Sequence, residues 1–139
     1  MLGTRYAGRW TVSVRRTALV AVGDIVAIAA FLLYGLLIHA VNPLVFPHHT
    51  VLAAAPFIFA WAITAPLGGL YRPETVTSVR SALTKTTAVW VVASLAGGAI
   101  RGTEYFPGEA PAVFLVVNIV FGLAFLLPWR FAVAYTLGR

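Results

Sequence analysis

The sequence predicts an all-α integral membrane protein, a four-helix bundle that runs up-down-up-down with both termini in the cytoplasm. Of its 139 residues 60% are hydrophobic and only 10% are charged, and a soluble domain of this size could not bury so much apolar surface. The apolar residues form four runs, each with about the 20 residues needed to span a bilayer. Because the polar connections between the runs are short, neighbouring helices should be antiparallel.

We predict one transmembrane domain over residues 1–139, with a basic N-terminal segment at 1–16. The four predicted helices cover residues 17–41, 50–70, 79–100 and 110–131. Arg15 and Arg16 precede the first run as in a twin-arginine export signal. That run is too long for a cleavable signal and contains a charge, so we expect a retained first helix.

The orientation follows from the basic residues. They gather in the N-terminal segment, around the second connection and at the C-terminal end: Arg5, Arg9, Arg15, Arg16, Arg72, Arg80, Lys85, Arg130 and Arg139. The first connection has no lysine or arginine, and the third has only Arg101. Cytoplasmic loops carry the excess of basic residues, so both termini and the second connection should be cytoplasmic in a multi-pass protein of the cell membrane. Tyr71 and Trp129 fall near the predicted membrane interfaces, where aromatic residues anchor helices.

Asp24 is the one carboxylate in the first apolar run. A charge inside a membrane is costly and by default suggests function, here a proton or ion relay or a site for a polar substrate. The alternative is a buried ion pair that fixes the register of the helices. Arg16 is about 12 Å away along the helix, too far for a direct pair. The candidate partners are therefore Arg80, Lys85 and Arg130.

Three polar or small-residue stripes are predicted to face the bundle interior. The first helix contributes a stripe from Asp24 to Tyr34, and the fourth contributes one from Asn118 to Trp129. On the third helix the stripe consists of Thr77, Arg80, Thr84, Thr87, Val91, Ser94, Gly98 and Arg101. Small residues and hydroxyls are typical of close helix contacts in membranes. A sharper hypothesis is a polar track from Asp24 toward Arg101, and a conduit of that kind would form more readily at the subunit interface of a homo-oligomer than within one four-helix bundle.

The sequence shows no motif for a metal, cofactor, catalytic or nucleic-acid-binding site. There is no cysteine, and His39, His48 and His49 match no metal-binding spacing, so we predict neither metal nor cofactor. Glu104 and Glu109 lack an accompanying nucleophile or base, and we predict no enzyme. The basic residues flank apolar runs instead of forming one patch, which argues against nucleic acid. The expected partners are the lipid bilayer and either a second copy or another membrane protein.

The chain resembles the domain of unknown function 3054 family, small four-helix membrane proteins of archaea and bacteria, and is similar to its haloarchaeal members. The resemblance covers about residues 16–135 and depends on the order and spacing of Gly23, Asp24, Pro56, Phe57, Trp61, Gly69, Tyr71, Arg80, Trp90, Arg101, Phe114, Trp129 and Arg130. Where glycine often precedes the Trp-Arg pair in the family, this chain has Pro128. The resemblance implies a multi-pass membrane protein and no established activity.

Two functions from different classes remain open on these grounds. One is a small transporter or permeation subunit that uses the intramembrane aspartate and flanking arginines. The other is a structural or accessory membrane protein that binds a membrane partner or lipid, with Asp24 in a register-fixing ion pair. An enzyme acting on lipid ranks below both, because no recognised catalytic constellation is present. The candidate functional residues are Asp24, Arg80, Lys85, Arg101, Arg130, Trp61, Tyr34 and Asn118, and none is predicted to be catalytic.

Overall fold

The computed structural model describes residues 2–40, 42–103 and 111–139. Within these ranges the chain forms five α-helices and no β-strand, so the predicted all-α class is confirmed. The helices are α1 (Leu2–Ile38), α2 (Pro47–Leu67), α3 (Pro73–Val76), α4 (Val79–Arg101) and α5 (Ala112–Leu137).

Four helices contain a stretch that is long and apolar enough to cross a membrane, as predicted. These stretches are Val14–Ile38 of α1 and the full lengths of α2, α4 and α5. Large apolar side chains point outward from them, and Leu19, Phe59 and Val116 are 60–65% exposed. An outer surface of this kind suits lipid as the surrounding solvent, because water would penalise it.

The boundaries of α2 differ from the predicted ones where proline and glycine act. It begins at Pro47, earlier than predicted, because proline fits the first turn of a helix, where its missing N–H has no partner to lose. It ends at Leu67, and Gly69 then reverses the chain with a φ of +75°, a conformation that glycine adopts without a steric penalty.

Both α1 and α5 extend beyond one of their predicted boundaries. α1 starts at Leu2, so the basic N-terminal segment continues the first helix, and it ends at Ile38. α5 runs from Ala112 to Leu137 through Pro128, past the predicted end at residue 131. Hydropathy marks only the lipid-facing length of a helix, whereas the backbone stays helical until a residue breaks it. The predicted ends at residues 41 and 110 lie outside the described residues.

The sequence did not predict α3. This single turn begins at Pro73, and its Thr75 and Val76 are buried. Four residues are too few to show a helical period, so the segment was predicted to be part of a loop.

α4 packs against both α2 and α5, while α1 packs mainly against α5. An aromatic group lies where these helices meet, with the Trp90 ring centroid 6.0 Å from that of Trp61 and 6.2 Å from that of Phe31. Trp61 and Trp90 are almost completely buried. Gly122 of α5 faces the Trp90 ring, which allows these two helices to approach closely.

The predicted interior stripe on α4 is wrong over its first half. Arg80 and Thr84 are exposed, and the buried face of the helix instead contains Ala82, Thr86, Val89, Trp90, Ala93, Ser94, Gly97 and Gly98. A threonine in a helix can satisfy its hydroxyl within its own backbone, as Thr87 does by donating to Leu83 O at 2.8 Å. The hydroxyl stripe therefore carried little information about burial, and the large Trp90 side chain determines which face is inside.

Candidate functional site

Asp24 lies in the first half of the apolar part of α1 and is completely buried. The guanidinium of Arg130, from α5, is also completely buried and meets the carboxylate in a two-point contact. Arg130 Nε donates to Oδ1 at 2.9 Å, and Nη2 donates to Oδ2 at 2.7 Å. This paired geometry is the strongest form of an arginine–carboxylate interaction.

Two further donors complete the surroundings of the carboxylate. Tyr71 donates its hydroxyl to Asp24 Oδ2 at 2.7 Å, and Trp129 donates its indole N–H to Oδ1 at 3.1 Å. An ionised carboxylate has about four acceptor positions, and all four are used. We call these four residues, Asp24, Tyr71, Trp129 and Arg130, the aspartate clasp.

The clasp joins three parts of the chain. Arg130 Nη1 donates to Leu70 O at 2.9 Å, and its guanidinium carbon lies 5.1 Å from the centroid of the Tyr71 ring. Both of these residues follow the turn at Gly69, so the end of α2 is tied to α1 and α5 through one arginine. Each nitrogen of the Arg130 head group thus has an acceptor, as burial of a charge requires.

Tyr71 lies between α2 and α3, outside the candidate membrane spans. Burial and, after it, the adjacent Asp24 carboxylate raise the pKa of the Tyr71 phenol above its ordinary value of 10.0. Both effects disfavour a second negative charge at this point. The phenol therefore remains protonated at neutral pH and serves as a donor.

The clasp is suited to holding helices together. A relay carboxylate needs an open acceptor position, whereas Asp24 is fully buried and its acceptor positions are filled by donors among the described residues. Buried ion pairs contribute little net stability compared with apolar packing, but removing one partner costs about 3–5 kcal/mol because a buried charge is left unpaired.

Of the three cations predicted as partners, the structure brings only Arg130 to Asp24. Arg80 is exposed near the start of α4. Lys85 donates to Thr75 Oγ1 at 3.0 Å and so connects α4 to the short helix α3.

Neither Trp61 nor Tyr34 is among the donors to Asp24, although the Trp61 indole lies next to the Tyr71 side chain. Trp61 is a core residue beside Trp90. Tyr34 is 47% exposed, and its ring packs at 6.2 Å from that of Phe125. Their positions indicate packing in the first case and a surface contact in the second.

Arg101 and Asn118 occupy the other end of the helices. Asn118 lies three helical turns before Arg130 on α5, about 18 Å away at the helical rise. Its Nδ2 donates to Ser94 Oγ at 3.1 Å, and its backbone oxygen accepts from Trp90 Nε1 at 3.3 Å. The guanidinium of Arg101 lies 4.3 Å from the centroid of the Phe114 ring.

The predicted polar track from Asp24 to Arg101 is interrupted inside the protein. The buried residues between the two ends are mainly aromatic and aliphatic: Ile28, Phe31, Phe57, Trp61, Val89, Trp90 and Leu126. Ser94 and Asn118 form a separate polar pair on the far side of this apolar layer.

No group of three or more histidine, cysteine or acidic side chains comes together anywhere in the described ranges. His39 Nδ1 lies 2.8 Å from Gly35 O, and since a carbonyl can only accept, this nitrogen carries the proton. Glu104 and Glu109, for which the sequence shows no accompanying nucleophile or base, lie outside the described residues.

The sequence interpretation missed Tyr71 and Trp129 as partners of Asp24. Both were assigned to the membrane interface because they are aromatic and lie near helix ends. A signal was nevertheless present, since Trp129 directly precedes the cation that pairs with Asp24 and Tyr71 follows the turn at the same end of the molecule.

Comparison with known proteins gives one match. The family model described as "Protein of unknown function (DUF3054)" matches residues 21–133, a range that includes the whole aspartate clasp. Neither the curated proteins nor the solved structures gave a match. With its apolar helices and this match over most of its length, the chain belongs to the DUF3054 family and is a multi-helix membrane protein.

Proposed function

We propose that the protein is a multi-pass component of the cell membrane with a structural or accessory role, in which it binds lipid or another membrane protein. Asp24 and Arg130 act in this proposal as the pair that fixes helix register. The observation that carries it is the saturation of the Asp24 carboxylate, which accepts from three different side chains while fully buried. Transport through Asp24 would require that network to open, and so the clasp supports the accessory role over the relay.

The same proposal includes the arrangement in the membrane. Four spanning helices run up-down-up-down in one domain, and both termini and the α2–α4 connection are cytoplasmic. The basic residues support this, because Arg72 and Arg80 are exposed beside the second connection and the first connection has no lysine or arginine. The aspartate clasp then lies toward the cytoplasmic side, and the Arg101 end faces outward.

The direct test compares flux and folding in the same variant. Wild-type protein, Asp24→Asn and the exposed control Arg80→Gln are reconstituted into liposomes, and proton flux is measured with an entrapped pH dye. We expect no flux that depends on Asp24, together with a lower unfolding temperature for Asp24→Asn alone. A flux present in the wild type and lost in a stably folded Asp24→Asn would overturn the proposal.

The partner is tested on purified protein. We expect the protein to leave mild detergent with bound lipid, with a second copy or with a membrane protein at fixed stoichiometry. The mass of the intact complex under non-denaturing conditions distinguishes these partners. A lipid-free monomer under every mild condition would contradict the accessory role.

A further inference from the structure

A cleft of about 540 Å³ lies at the end of the molecule remote from the aspartate clasp. It is bounded by the last two turns of α1, the first turns of α2 and α5, and the end of α4. Its volume is within the range of pockets that hold small molecules. The aspartate clasp contributes no residue to its lining.

Most of the cleft wall is apolar and continues onto the outer surface of the helices. Val113, Val117 and Phe121 of α5 line it and are 44–74% exposed. These residues lie within a candidate membrane span. The cleft is therefore open to a hydrocarbon chain approaching from the surrounding lipid.

Two polar side chains in the cleft have unused hydrogen-bonding groups. Among the described residues, Arg101 Nε is buried without a partner. Asn118 is only 2% exposed, and its Oδ1 also has no partner. Buried polar atoms are normally paired, so two orphans in one cleft point to a ligand that supplies the missing contacts.

The charge of the cleft selects the sign of that ligand. The Arg101 guanidinium brings a positive charge into an apolar wall, where an anion is the favourable partner. A half-turn of the Asn118 amide would let Ser94 donate to Oδ1 and leave the Nδ2 group free to donate to a ligand in the cleft. The ring of His39 and that of His49 line the cleft as well.

We propose that this cleft binds an anionic membrane lipid, with the phosphate near Arg101 and an acyl chain along the exposed wall of α5. Among the described lining residues Arg101 is the one arginine or lysine, and this localised cation within a mainly apolar lining matches one charged head group attached to a long hydrocarbon chain. A free anion would leave most of that lining without a contact. This inference rests on the proposed accessory role in the membrane, but it uses none of the clasp residues.

The test measures lipid retention by the full-length protein. Protein purified in mild detergent is mixed with equal amounts of phosphatidylglycerol and phosphatidylcholine of the same chain length, and bound lipid is counted by native mass spectrometry. Wild type should prefer phosphatidylglycerol about tenfold, the ratio expected from one charge-assisted contact. Arg101→Gln should lose the preference, whereas Arg80→Gln, on the exposed opposite end of α4, should keep it. Equal retention of both lipids by wild type would overturn the proposal, as would equal losses in the two arginine variants.

A second variant blocks the cleft without changing any charge. Gly35 lines the cleft, and a Cβ added there meets no atom within 4 Å, so we expect Gly35→Leu to fill the space without straining the fold. We expect it to reduce retention of phosphatidylglycerol as strongly as Arg101→Gln does. Unchanged retention would show that the lipid binds elsewhere.

Two further experiments distinguish a lipid phosphate from a free anion and from the carboxylates of the chain itself. Inorganic phosphate at millimolar concentration should not displace the lipid, and its displacement of the lipid would indicate a free-anion site instead. Glu104→Gln/Glu109→Gln should retain the preference, and a preference seen only in this variant would mean that these carboxylates occupy Arg101 in the wild type. If the wild type shows no lipid preference while Asp24→Asn is still less stable than the wild type, only the cleft proposal is rejected and the structural role of Asp24 stands.

Discussion

The ring of Trp129 occupies the space that a side chain at residue 23 would need. A Cβ built on Gly23 would overlap the six-membered ring of Trp129. Because α1 presents only a hydrogen atom here, the indole comes close enough for its N–H to reach Asp24 Oδ1 at 3.1 Å. The glycine preceding the buried aspartate is thus part of how the carboxylate is satisfied.

Gly23→Ala should therefore destabilise the protein by about 1–3 kcal/mol, the usual cost of forcing extra atoms into a packed contact. Gly35→Ala is the matched control on the same helix, because an added methyl group meets no neighbour there. It should be neutral or stabilise by up to about 1 kcal/mol through helix propensity. The free energy of unfolding in mixed micelles checks both, and equal effects of the two substitutions would contradict the packing argument.

Gly122→Ala should weaken the contact between α4 and α5. The added Cβ would overlap the Trp90 indole near Nε1, which donates to Asn118 O at 3.3 Å. We expect a lower unfolding temperature and partial recovery when Trp90→Phe is added, since the smaller ring leaves space. If the double variant is as unstable as the sum of the two single variants, the two residues do not share that space.

Alkaline pH should destabilise the protein through Tyr71. In the folded state the pKa of the phenol is raised, by burial first and then by Asp24, while in the unfolded chain it is near 10.0. The contribution of the neutral phenol is therefore complete below pH 10 and is lost as the pH rises from there toward the folded-state pKa. The unfolding temperature of wild type should fall more steeply above pH 10 than that of Tyr71→Phe, and parallel curves would show that Tyr71 does not titrate on unfolding.

Cysteine labelling tests the proposed orientation, because the chain contains no cysteine of its own. Leu44, in the first connection, is 90% exposed, and Glu74 is exposed on α3. In intact cells a membrane-impermeant maleimide should label Leu44→Cys, and it should label Glu74→Cys only after permeabilisation. The reverse pattern would place the termini outside.

The general arrangement of the chain was predictable because hydropathy and length report directly on membrane-spanning helices. The four apolar runs and the all-α class were found in this way, and the family was found from the order and spacing of particular residues. Pro47 and Gly69 shifted the ends of α2, since turns depend on local backbone geometry that hydropathy does not record. The four-residue helix α3 was too short to produce a periodic signal.

The site was only partly predictable. The sequence identified Asp24 and included Arg130 among three candidate cations, but helical spacing alone could not choose between them. That choice depends on the rotation of α4 and α5 about their own axes, and the sequence does not show close contacts between these helices such as that of Trp90 with Gly122. The roles of Tyr71 and Trp129 depend in the same way on close contacts between residues distant in sequence.

The central claim is that Asp24 and Arg130 form one structural unit, and a double-mutant cycle on the free energy of unfolding tests it most directly. Asp24→Asn and Arg130→Gln should each cost about 3–5 kcal/mol, because each leaves a buried charge unpaired. The double variant should cost little more than either single variant, and Arg80→Gln should be neutral. Additive losses, or an Asp24→Asn variant as stable as wild type, would contradict the account.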